Sequence, residues 1–239
     1  MNSIFGLVAK PLGYLLTYIY NFVGSYGLAL VILTLIVKGL LYPLYARQIK
    51  STAAMSSIQP KMKEIQNRYA DDKETMNQKI SELYKEEGFN PAGGCLPMLI
   101  QMPIIMGLFA LLRNPMLYIA DDNMLFAIHE SFLWIKDMSQ PDLWILPILA
   151  GIATFVSFSM NKAMTDSGGA AGQGQAMQAV MKYVFPVSIL WLARSYPAGL
   201  ALYWFFGQFI QIFFNIRMNK LRKDMQKDQG KNNKKKSKK

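Results

Sequence analysis

The sequence contains very few residues that bind metals or form disulfides. Cys95 is the only cysteine and His129 the only histidine among 239 residues. One cysteine excludes an intramolecular disulfide, and the two residues together cannot supply the Cys and His ligands of a zinc site. We therefore expect no metal site, no cofactor and no disulfide framework.

Acidic residues are absent from the long apolar stretches of this chain. The sequence is 52% hydrophobic, and its apolar residues gather into blocks of roughly membrane-spanning length. This distribution is typical of a membrane protein rather than of a soluble core. The predicted fold is all-α, a polytopic membrane protein with five transmembrane helices at residues 25–46, 95–113, 143–161, 179–194 and 197–216.

The N-terminus lacks the basic segment and the small-residue cleavage site of a cleavable signal peptide, so we expect none. Polar or small residues recur every three or four positions in residues 1–24. This spacing predicts an amphipathic helix. Because Lys10 and Pro11 interrupt the apolar run, we interpret the segment as a helix that lies in the membrane interface, with a further span as the alternative.

Polar segments separate or follow the predicted spans. Residues 47–91 carry two apolar stripes at helical spacing, which predicts a cytoplasmic helical hairpin. Residues 114–142 are acidic and predict an extracytoplasmic loop, and residues 162–178 are glycine-rich and predict a flexible cytoplasmic loop. Residues 217–239 predict a disordered, basic cytoplasmic tail. The hairpin stripes include Met62, Ile65, Met76, Ile80 and Leu83.

Basic residues are distributed unevenly among these segments. The hairpin contains eight, the acidic loop one, and the tail eleven. The positive-inside rule places the hairpin and the tail in the cytoplasm. With five spans, the N-terminus is then outside, and we expect a multi-pass protein of the cell (inner) membrane.

Lys38 is the only charged residue in the first predicted span. A lysine near the middle of a spanning helix costs about 2.5–3.5 kcal/mol on insertion scales. Arg47, at the cytoplasmic end, is about 13 Å further along the helix, whereas a lysine side chain spans roughly 6 Å. We therefore favour a hydrated cavity over snorkelling. Since no predicted span contains an acid, a transient anionic ligand would suit Lys38.

A few uncharged polar side chains also lie in the predicted spans, among them Gln101, Ser157 and Gln208. Hydrogen bonding between helices is the ordinary role of such residues. Tyr203 and Trp204 lie near the middle of the fifth span and do not fit an aromatic belt. Packing between helices explains them equally well.

The tail ends in a cluster of lysines that cannot form a packed core. Anionic lipids and structured RNA both attract such a segment. Because the predicted tail is cytoplasmic, the ribosome is a candidate partner. The lysines expected to make these contacts are Lys234, Lys235, Lys236, Lys238 and Lys239.

Several motifs together closely resemble those of the YidC family of bacterial membrane insertases. They are Lys38-Gly-Leu-Leu-Tyr-Pro43-Leu44, Gln59-Pro60, Asn90-Pro-Ala-Gly-Gly-Cys-Leu-Pro-Met-Leu-Ile-Gln-Met-Pro103 and Pro197-Ala-Gly-Leu-Ala-Leu-Tyr-Trp204. The third motif is highly specific, and the resemblance covers residues 1 to about 220. It is to the five-span form, without the large outer domain that some members carry.

The resemblance implies a hydrophilic groove that opens to the cytoplasm and to lipid and is closed outward. The family's arginine in the first span is Lys38 here, which keeps the charge but loses the bidentate fork of arginine. Ser157 and Gln208 replace a glutamine and an asparagine of the family, and Trp204 matches its groove tryptophan. The implied groove residues are Lys38, Gln101, Ser157, Trp204 and Gln208.

The resemblance also implies a function without covalent chemistry, that of a membrane protein insertase and chaperone. In this hypothesis the hairpin captures a nascent membrane protein, the groove receives its polar outer segment, and Lys38 attracts acidic client residues. Insertion would proceed alone or with the Sec translocon. The partners implied are nascent membrane proteins, the ribosome, the Sec translocon and anionic lipids, with the protein acting as a monomer.

Two other functions remain open from the sequence. A transporter of small solutes or ions would also explain a charged residue in a span, although internal repeats and midplane ligand clusters, which are usual in transporters, are not evident. An assembly scaffold for other membrane complexes is the second alternative. Relatives of the resembled family perform both insertion and assembly, and the sequence does not apportion the two.

Overall fold

A computed structural model gives the fold of residues 2–88, 96–161 and 179–236. These segments are mainly helical, and an isolated β-bridge pairs Phe132 with Ile135. A 3₁₀ turn spans Pro115–Leu117, and a π-helical turn spans Val180–Val184. The helices are α1 (Asn2–Val23), α2 (Tyr26–Arg68), α3 (Lys73–Glu86), α4 (Leu96–Arg113), α5 (Asp122–Ala127), α6 (Ile145–Met160), α7 (Phe185–Ala193) and α8 (Ala198–Lys236).

The first predicted span and the first half of the predicted hairpin form one continuous helix. α2 is 43 residues long and passes through Pro43 and Pro60, whereas the sequence predicted a boundary after residue 46. A proline can kink a helix without ending it, and the residues between these two prolines include no glycine. Because elongation requires no new nucleus, the helix continues out of the apolar segment.

The last helix also extends further than predicted. α8 contains 39 residues, so the helix continues through residues 217–236, where the sequence predicted disorder. Lysine, arginine, glutamine and methionine are good helix formers, and they extend a helix that the apolar segment has already nucleated. Residues 237–239 of the predicted tail lie outside the described residues.

Two segments of the described chain are long and apolar enough to cross a membrane, Tyr26–Ala46 and Ala198–Lys220. Three other apolar helical segments are shorter: Gln101–Arg113, Ile145–Met160 and Val180–Ala193. The count of five spans therefore stays a prediction. The glycine-rich loop, residues 162–178, and residues 89–95 lie outside the described residues.

One apolar core joins the helices. α8 packs against α6 and α2, α1 packs against α4 and α2, and α7 packs against α6. The contact between α1 and α4 is close at Gly107, where a Cβ atom would lie 2.7 Å from Val8 Cγ1. Any larger residue at this position would push the two helices apart. The largest buried side chains of this core include Leu16, Tyr26, Leu30, Leu33, Leu108, Leu111 and Leu202.

One face of α1 is buried in the bundle, and another face carries exposed aromatic side chains. Leu16 is buried, while Tyr14, Tyr18 and Phe22 are exposed. Gly13 lies against the segment between α4 and α6, residues 114–144, which we call the linker, since a Cβ atom at Gly13 would be 2.8 Å from the Tyr118 carbonyl oxygen. An exposed aromatic surface suits a helix in the membrane interface, and that location stays a prediction.

The hairpin consists of the last part of α2 together with the whole of α3. Ile58, Met62 and Leu83 form its small core, against which Ile65 and Tyr84 pack. Asp72 caps α3 by accepting a hydrogen bond from the Thr75 backbone N–H at 3.1 Å. This core is separate from that of the helical bundle.

Candidate functional site

Lys38 is buried where α2 passes α4 and α8. Its side chain is among the buried polar groups, with 6% of the residue exposed. The ammonium Nζ donates to Gln101 Oε1 of α4 at 3.4 Å. On α8, a Cβ atom at Gly207 would lie 3.6 Å from Lys38 Cε, which is an ordinary contact distance, so the lysine stem lies against α8 at this position.

Gln101 connects Lys38 with two tyrosines. Its Oε1 also accepts from the Tyr45 hydroxyl at 3.2 Å, and its Nε2 donates to the Tyr203 hydroxyl oxygen at 3.3 Å. We refer to Lys38, Tyr45, Gln101 and Tyr203 as the polar cluster. Three helices contribute to it, so it forms only when α2, α4 and α8 are packed together.

The polar cluster holds a cation with neutral groups. The ion pairs between described residues are all elsewhere, and the contacts of Lys38 are the Gln101 oxygen and the Tyr45 ring, whose centre is 5.6 Å from Nζ. A ring face attracts a cation but does not neutralise it. A buried charge without a counter-ion is costly, and such a residue in a membrane helix commonly marks a functional site. The arrangement is suited to accept an anionic group.

Aromatic side chains lie next to the polar cluster on its hairpin side. The Phe214 ring of α8 is 5.4 Å from that of Tyr42 and 5.8 Å from that of Tyr45. The guanidinium of Arg217 lies 5.9 Å from the centre of the Tyr42 ring. A second cation, which is exposed, therefore lies beside these rings near the middle of α8.

Trp204 and Ser157 lie in a different place, at the contact between α6 and α8. The Trp204 indole N–H donates to Thr154 Oγ1 at 3.0 Å, and Asn215 Nδ2 donates to the Ser157 carbonyl oxygen at 2.8 Å. Trp204 also lies near Phe185, with 6.2 Å between the ring centres. We call this contact the α6–α8 seam.

The five predicted groove residues are therefore distributed over two sites. Lys38 and Gln101 meet in the polar cluster, Trp204 and Ser157 lie in the α6–α8 seam, and Gln208 is one helical turn after Trp204 on α8 and partly exposed. Sequence reasoning missed Tyr45, which is seven residues after Lys38 and so on the same helix face. It named Tyr203 only as an aromatic residue near the middle of the fifth span. It missed Thr154 and Asn215, whose polar contacts cross between helices.

The predicted capture residues form the interior of the hairpin. Met62 and Met76 are each 1% exposed, Ile80 and Leu83 are buried, and Ile65 is partly buried. None of these side chains presents a broad apolar surface while the hairpin is closed. The predicted lysines Lys234, Lys235 and Lys236 are in the last turn of α8, but their side chains are not among those described, and Lys238 and Lys239 lie outside the described residues.

Ser139, His129 and Asp137 lie together in the linker but do not form a catalytic relay. Ser139 Oγ is 3.0 Å and Asp137 Oδ2 is 3.2 Å from the same ring nitrogen of His129, Nδ1. In a nucleophilic triad, the serine and the carboxylate contact opposite ring nitrogens. The geometry is therefore that of a local turn.

The family model and the relatives of similar sequence both match most of this chain. The sequence model of the 60Kd inner membrane protein family matches residues 18–228. A membrane protein insertase YidC from Oceanobacillus iheyensis is 38% identical over 225 residues, which cover 92% of this chain and 83% of the relative. Another from Fusobacterium nucleatum is 36% identical over 213 residues, which cover 89% of this chain and 95% of the relative.

Other relatives are much longer than this chain. A membrane protein insertase YidC from Pelobacter propionicus is 36% identical over 92% of this chain, which is only 40% of that relative. A solved structure described as "Active YidC insertase crystal structure with the first transmembrane domain resolved" has a TM-score of 0.61 and 30% identity, covering 86% of this chain and 45% of that one. The chain thus spans less than half of these two proteins.

Proposed function

Because this chain belongs to the 60Kd inner membrane protein family, whose model matches residues 18–228, we propose that it is a membrane protein insertase. It would insert and fold nascent membrane proteins, and its relatives are named membrane protein insertases. The proposal involves no covalent chemistry. Insertion is driven by the partitioning of the client's apolar segment into lipid.

The observation that carries this proposal is the polar cluster. A lysine that is 6% exposed contacts neutral groups, the Gln101 amide of α4 and the Tyr45 ring of its own helix. Among the residues that the structure describes, this desolvated cation has no permanent counter-ion. Structural stability alone favours an apolar residue at such a position. An acidic segment of a client, held only during insertion, supplies the missing negative charge.

The proposed groove extends from the polar cluster to the α6–α8 seam. Lys38 attracts the acidic segment, and Gln101, Tyr45 and Tyr203 provide hydrogen bonds that replace part of its hydration. Trp204 and Gln208 of α8 and Ser157 of α6 line the remainder. We propose that this groove opens to the cytoplasm and to lipid and is closed outward.

The proposed topology has five spans, with the N-terminus outside and the hairpin and the C-terminus in the cytoplasm. The hairpin captures the client first. Because its apolar side chains form its own core, capture requires α3 to move away from α2. The basic end of α8 contacts the ribosome or anionic lipids, and the protein functions as a monomer, alone or with the Sec translocon.

The direct test replaces Lys38 with Arg, Ala and Glu and follows insertion of a single-span client that has an acidic outer tail. We expect Lys38→Arg to retain insertion and Lys38→Ala to reduce it. Lys38→Glu should reduce it most, because like charges repel in a low dielectric. The matched control is Lys10→Ala, which removes an exposed lysine of α1 and should leave insertion unchanged.

The same client with its tail acids changed to amides separates charge attraction from general damage. If Lys38 acts on client carboxylates, the neutral client should respond much less to Lys38→Ala than the acidic client does. Normal insertion of the acidic client by Lys38→Glu would disprove the electrostatic role of this residue.

Stability provides a second, independent test of the polar cluster. We expect Lys38→Met to raise the thermal stability of the detergent-purified protein while lowering insertion of the acidic client. The reason is that methionine removes a desolvated charge at similar volume, a change often neutral or stabilising by about 1–4 kcal/mol. A loss of stability would indicate that Lys38 is mainly a structural residue.

The transporter alternative predicts a different measurement. A transporter in liposomes would move a small solute or ion with saturable kinetics, whereas the proposed insertase would not. Flux that disappears in Lys38→Ala would replace the insertase proposal with the transporter. The scaffold alternative predicts that insertion is unchanged by Lys38→Glu while assembly of a membrane complex fails.

A further inference from the structure

The linker between α4 and α6 meets the first turns of three helices at one end of the bundle. We use the name capping segment for residues 128–144. The Glu130 carboxylate accepts from the Tyr26 backbone N–H at the start of α2, at 2.8 Å. Asp142 accepts from the Trp144 and Leu146 N–H groups at the start of α6, both at 3.0 Å.

Backbone carbonyl groups of the same segment cap the start of α8. The Ala198 N–H donates to the Gln140 carbonyl oxygen at 2.9 Å, and the Gly199 N–H donates to the Met138 carbonyl oxygen at 3.1 Å. The first N–H groups of a helix have no partner inside the helix. The capping segment therefore supplies hydrogen-bond partners to the first turns of α2, α6 and α8. The negative charges of its two carboxylates are also stabilising next to the positive N-terminal ends of the helix dipoles.

Glu130 connects α1, α2 and the capping segment through its hydrogen bonds. Its second oxygen accepts from the Tyr20 hydroxyl of α1 at 2.6 Å, and its carbonyl oxygen accepts from the Met138 N–H at 3.2 Å. The pKa of Tyr20 is raised by this hydrogen bond to Glu130. Ser25, which precedes α2, makes no side-chain capping bond, so the cap of α2 comes from a residue more than one hundred positions away in sequence.

Apolar side chains of the capping segment seal the same end. The Phe132 ring covers Gly27, where a Cβ atom would lie 2.1 Å from Phe132 Cγ. Ile128, Ile135 and Met138 are buried in the same core as the membrane helices. The segment is therefore a fixed part of the bundle rather than a loop on its surface.

The seal lies on the far side of the polar cluster from the hairpin. Lys38 is twelve residues after Tyr26, about 18 Å along α2. Buried Leu30 and Leu33 of α2 and Ala201 of α8, which is 3% exposed, occupy the space between. If the capping segment separated from the helix starts, water would gain a path toward the polar cluster from this side.

We infer that the capping segment closes the groove at the end opposite the hairpin, and that Glu130 is the positioning residue that keeps it closed. This inference rests on the proposed function, since it assigns the barrier that lets the groove hold a polar client segment without becoming a continuous pore. Glu130 acts by holding the first turns of α2 and the end of α1 in place. It makes no contact with the client.

The experiment measures access to the sealed layer in the full chain in native membranes. Cys95→Ala removes the only cysteine, and Ala201→Cys places a thiol beneath the capping segment. A membrane-impermeant maleimide is added from the linker side, which Met116→Cys identifies because Met116 is 82% exposed. Glu86→Cys, on the exposed surface of the hairpin, identifies the other side. The assay thus does not depend on the proposed orientation.

We expect slow labelling of Ala201→Cys in the parent and labelling at least about fivefold faster with Glu130→Ala, the factor that corresponds to loss of a helix cap. Glu130→Gln keeps an acceptor for the Tyr26 N–H, and Tyr20→Phe removes only the α1 contact, so both should fall between. If Glu130→Ala does not accumulate in the membrane, the other variants still test the inference. Ala201→Cys should then be labelled faster with Tyr20→Phe or Glu130→Gln than in the parent. Equal labelling rates in all variants that accumulate would overturn it.

A purely structural role gives a different result. It predicts lower thermal stability without faster labelling of Ala201→Cys from the linker side, and that outcome also overturns the inference. The Lys38 insertion assay is separate. Normal insertion by Lys38→Glu together with faster labelling in Glu130→Ala would remove the proposed function and leave the closure intact.

Discussion

The hairpin and the linker are both charged segments between apolar helices, and they are attached to the protein in opposite ways. The hairpin has a small core of its own, formed by residues such as Met62 and Leu83. The linker contributes Ile128 and Met138 to the core of the helical bundle. In the hairpin, α3 can therefore move away from α2 without unpacking the bundle, whereas the linker cannot move without doing so.

The difference also appears in what their charges do. In the hairpin, the ion pairs Lys61–Glu87 and Lys79–Glu82 lie on the exposed surface, where such pairs contribute little. In the linker, Asp121, Glu130 and Asp142 accept hydrogen bonds from backbone N–H groups at helix starts. Acidic residues thus cap three helix starts in the linker, whereas in the hairpin Asp72 caps α3 and other acids form exposed ion pairs.

The comparison is tested most strongly by emptying the hairpin core. Met62→Ala should destabilise the hairpin by about 2–5 kcal/mol, as expected for a large buried side chain, and leave the bundle folded. Hydrogen exchange in α3 should rise and proteolysis within the hairpin should accelerate, with no change in thermal unfolding of the membrane part. Met116→Ala, at an exposed methionine, is the matched control. Coupled loss of both parts would show that the hairpin is not an independent unit.

The next largest effect should come from the linker side of α2. Gly27→Ala forces a Cβ atom to within 2.1 Å of Phe132 Cγ, and overpacking of this kind costs about 1–3 kcal/mol. We expect a lower melting temperature of the whole bundle, restored by adding Phe132→Ala. Gly39→Ala on the same helix has nothing within 4 Å of the new Cβ and should be harmless. Equal effects of the two alanines would contradict the packing of Phe132 on α2.

The smallest effect should be the response of the hairpin to acid. Hydrogen bonds from the Thr75 side chain and backbone hold the pKa of Asp72 below its usual value. A lowered native pKa means that its contribution to stability is present above the unfolded-state pKa, about 3.9, and is lost as the pH falls through the native pKa. Exchange protection of α3 should therefore decrease below about pH 4.

Asp72→Asn keeps a side-chain acceptor at this cap without a titrating carboxyl group. It should remove this acid-dependent part of the change in α3, while Asp71→Asn should not. An identical acid response in all three proteins would show that the cap does not titrate.

Much of the secondary structure followed from local pattern. The helical stripes of residues 47–91 gave the hairpin, and Asp72 and Gly88 lie at the ends of α3 as polar caps and glycine commonly do. The ends of α2 and α8 did not follow, because a helix that is already nucleated continues through polar residues that would not start one alone. Hydropathy marks the apolar part of such a helix and not its length.

The candidate site was predictable only in part. Lys38 is conspicuous in any apolar stretch, because a charge there is costly wherever it points. Its contact with Gln101 and the roles of Tyr45 and Tyr203 depend on how three helices are rotated against one another. Trp204 and Lys38 were expected in one groove, yet the indole N–H bonds to Thr154 across a different helix contact.

The sequence by itself determined that the chain is helical, where its apolar segments lie, and that one cation is placed within the first of them. These properties depend on residues close together along the chain, whose spacing fixes which helix face they share. The tertiary structure decided that the partners of Lys38 among the described residues are neutral and that Glu130 caps a helix distant in sequence. Such contacts arise from helix packing, because an acceptor or a ring can meet any of several helices until the core fixes their positions.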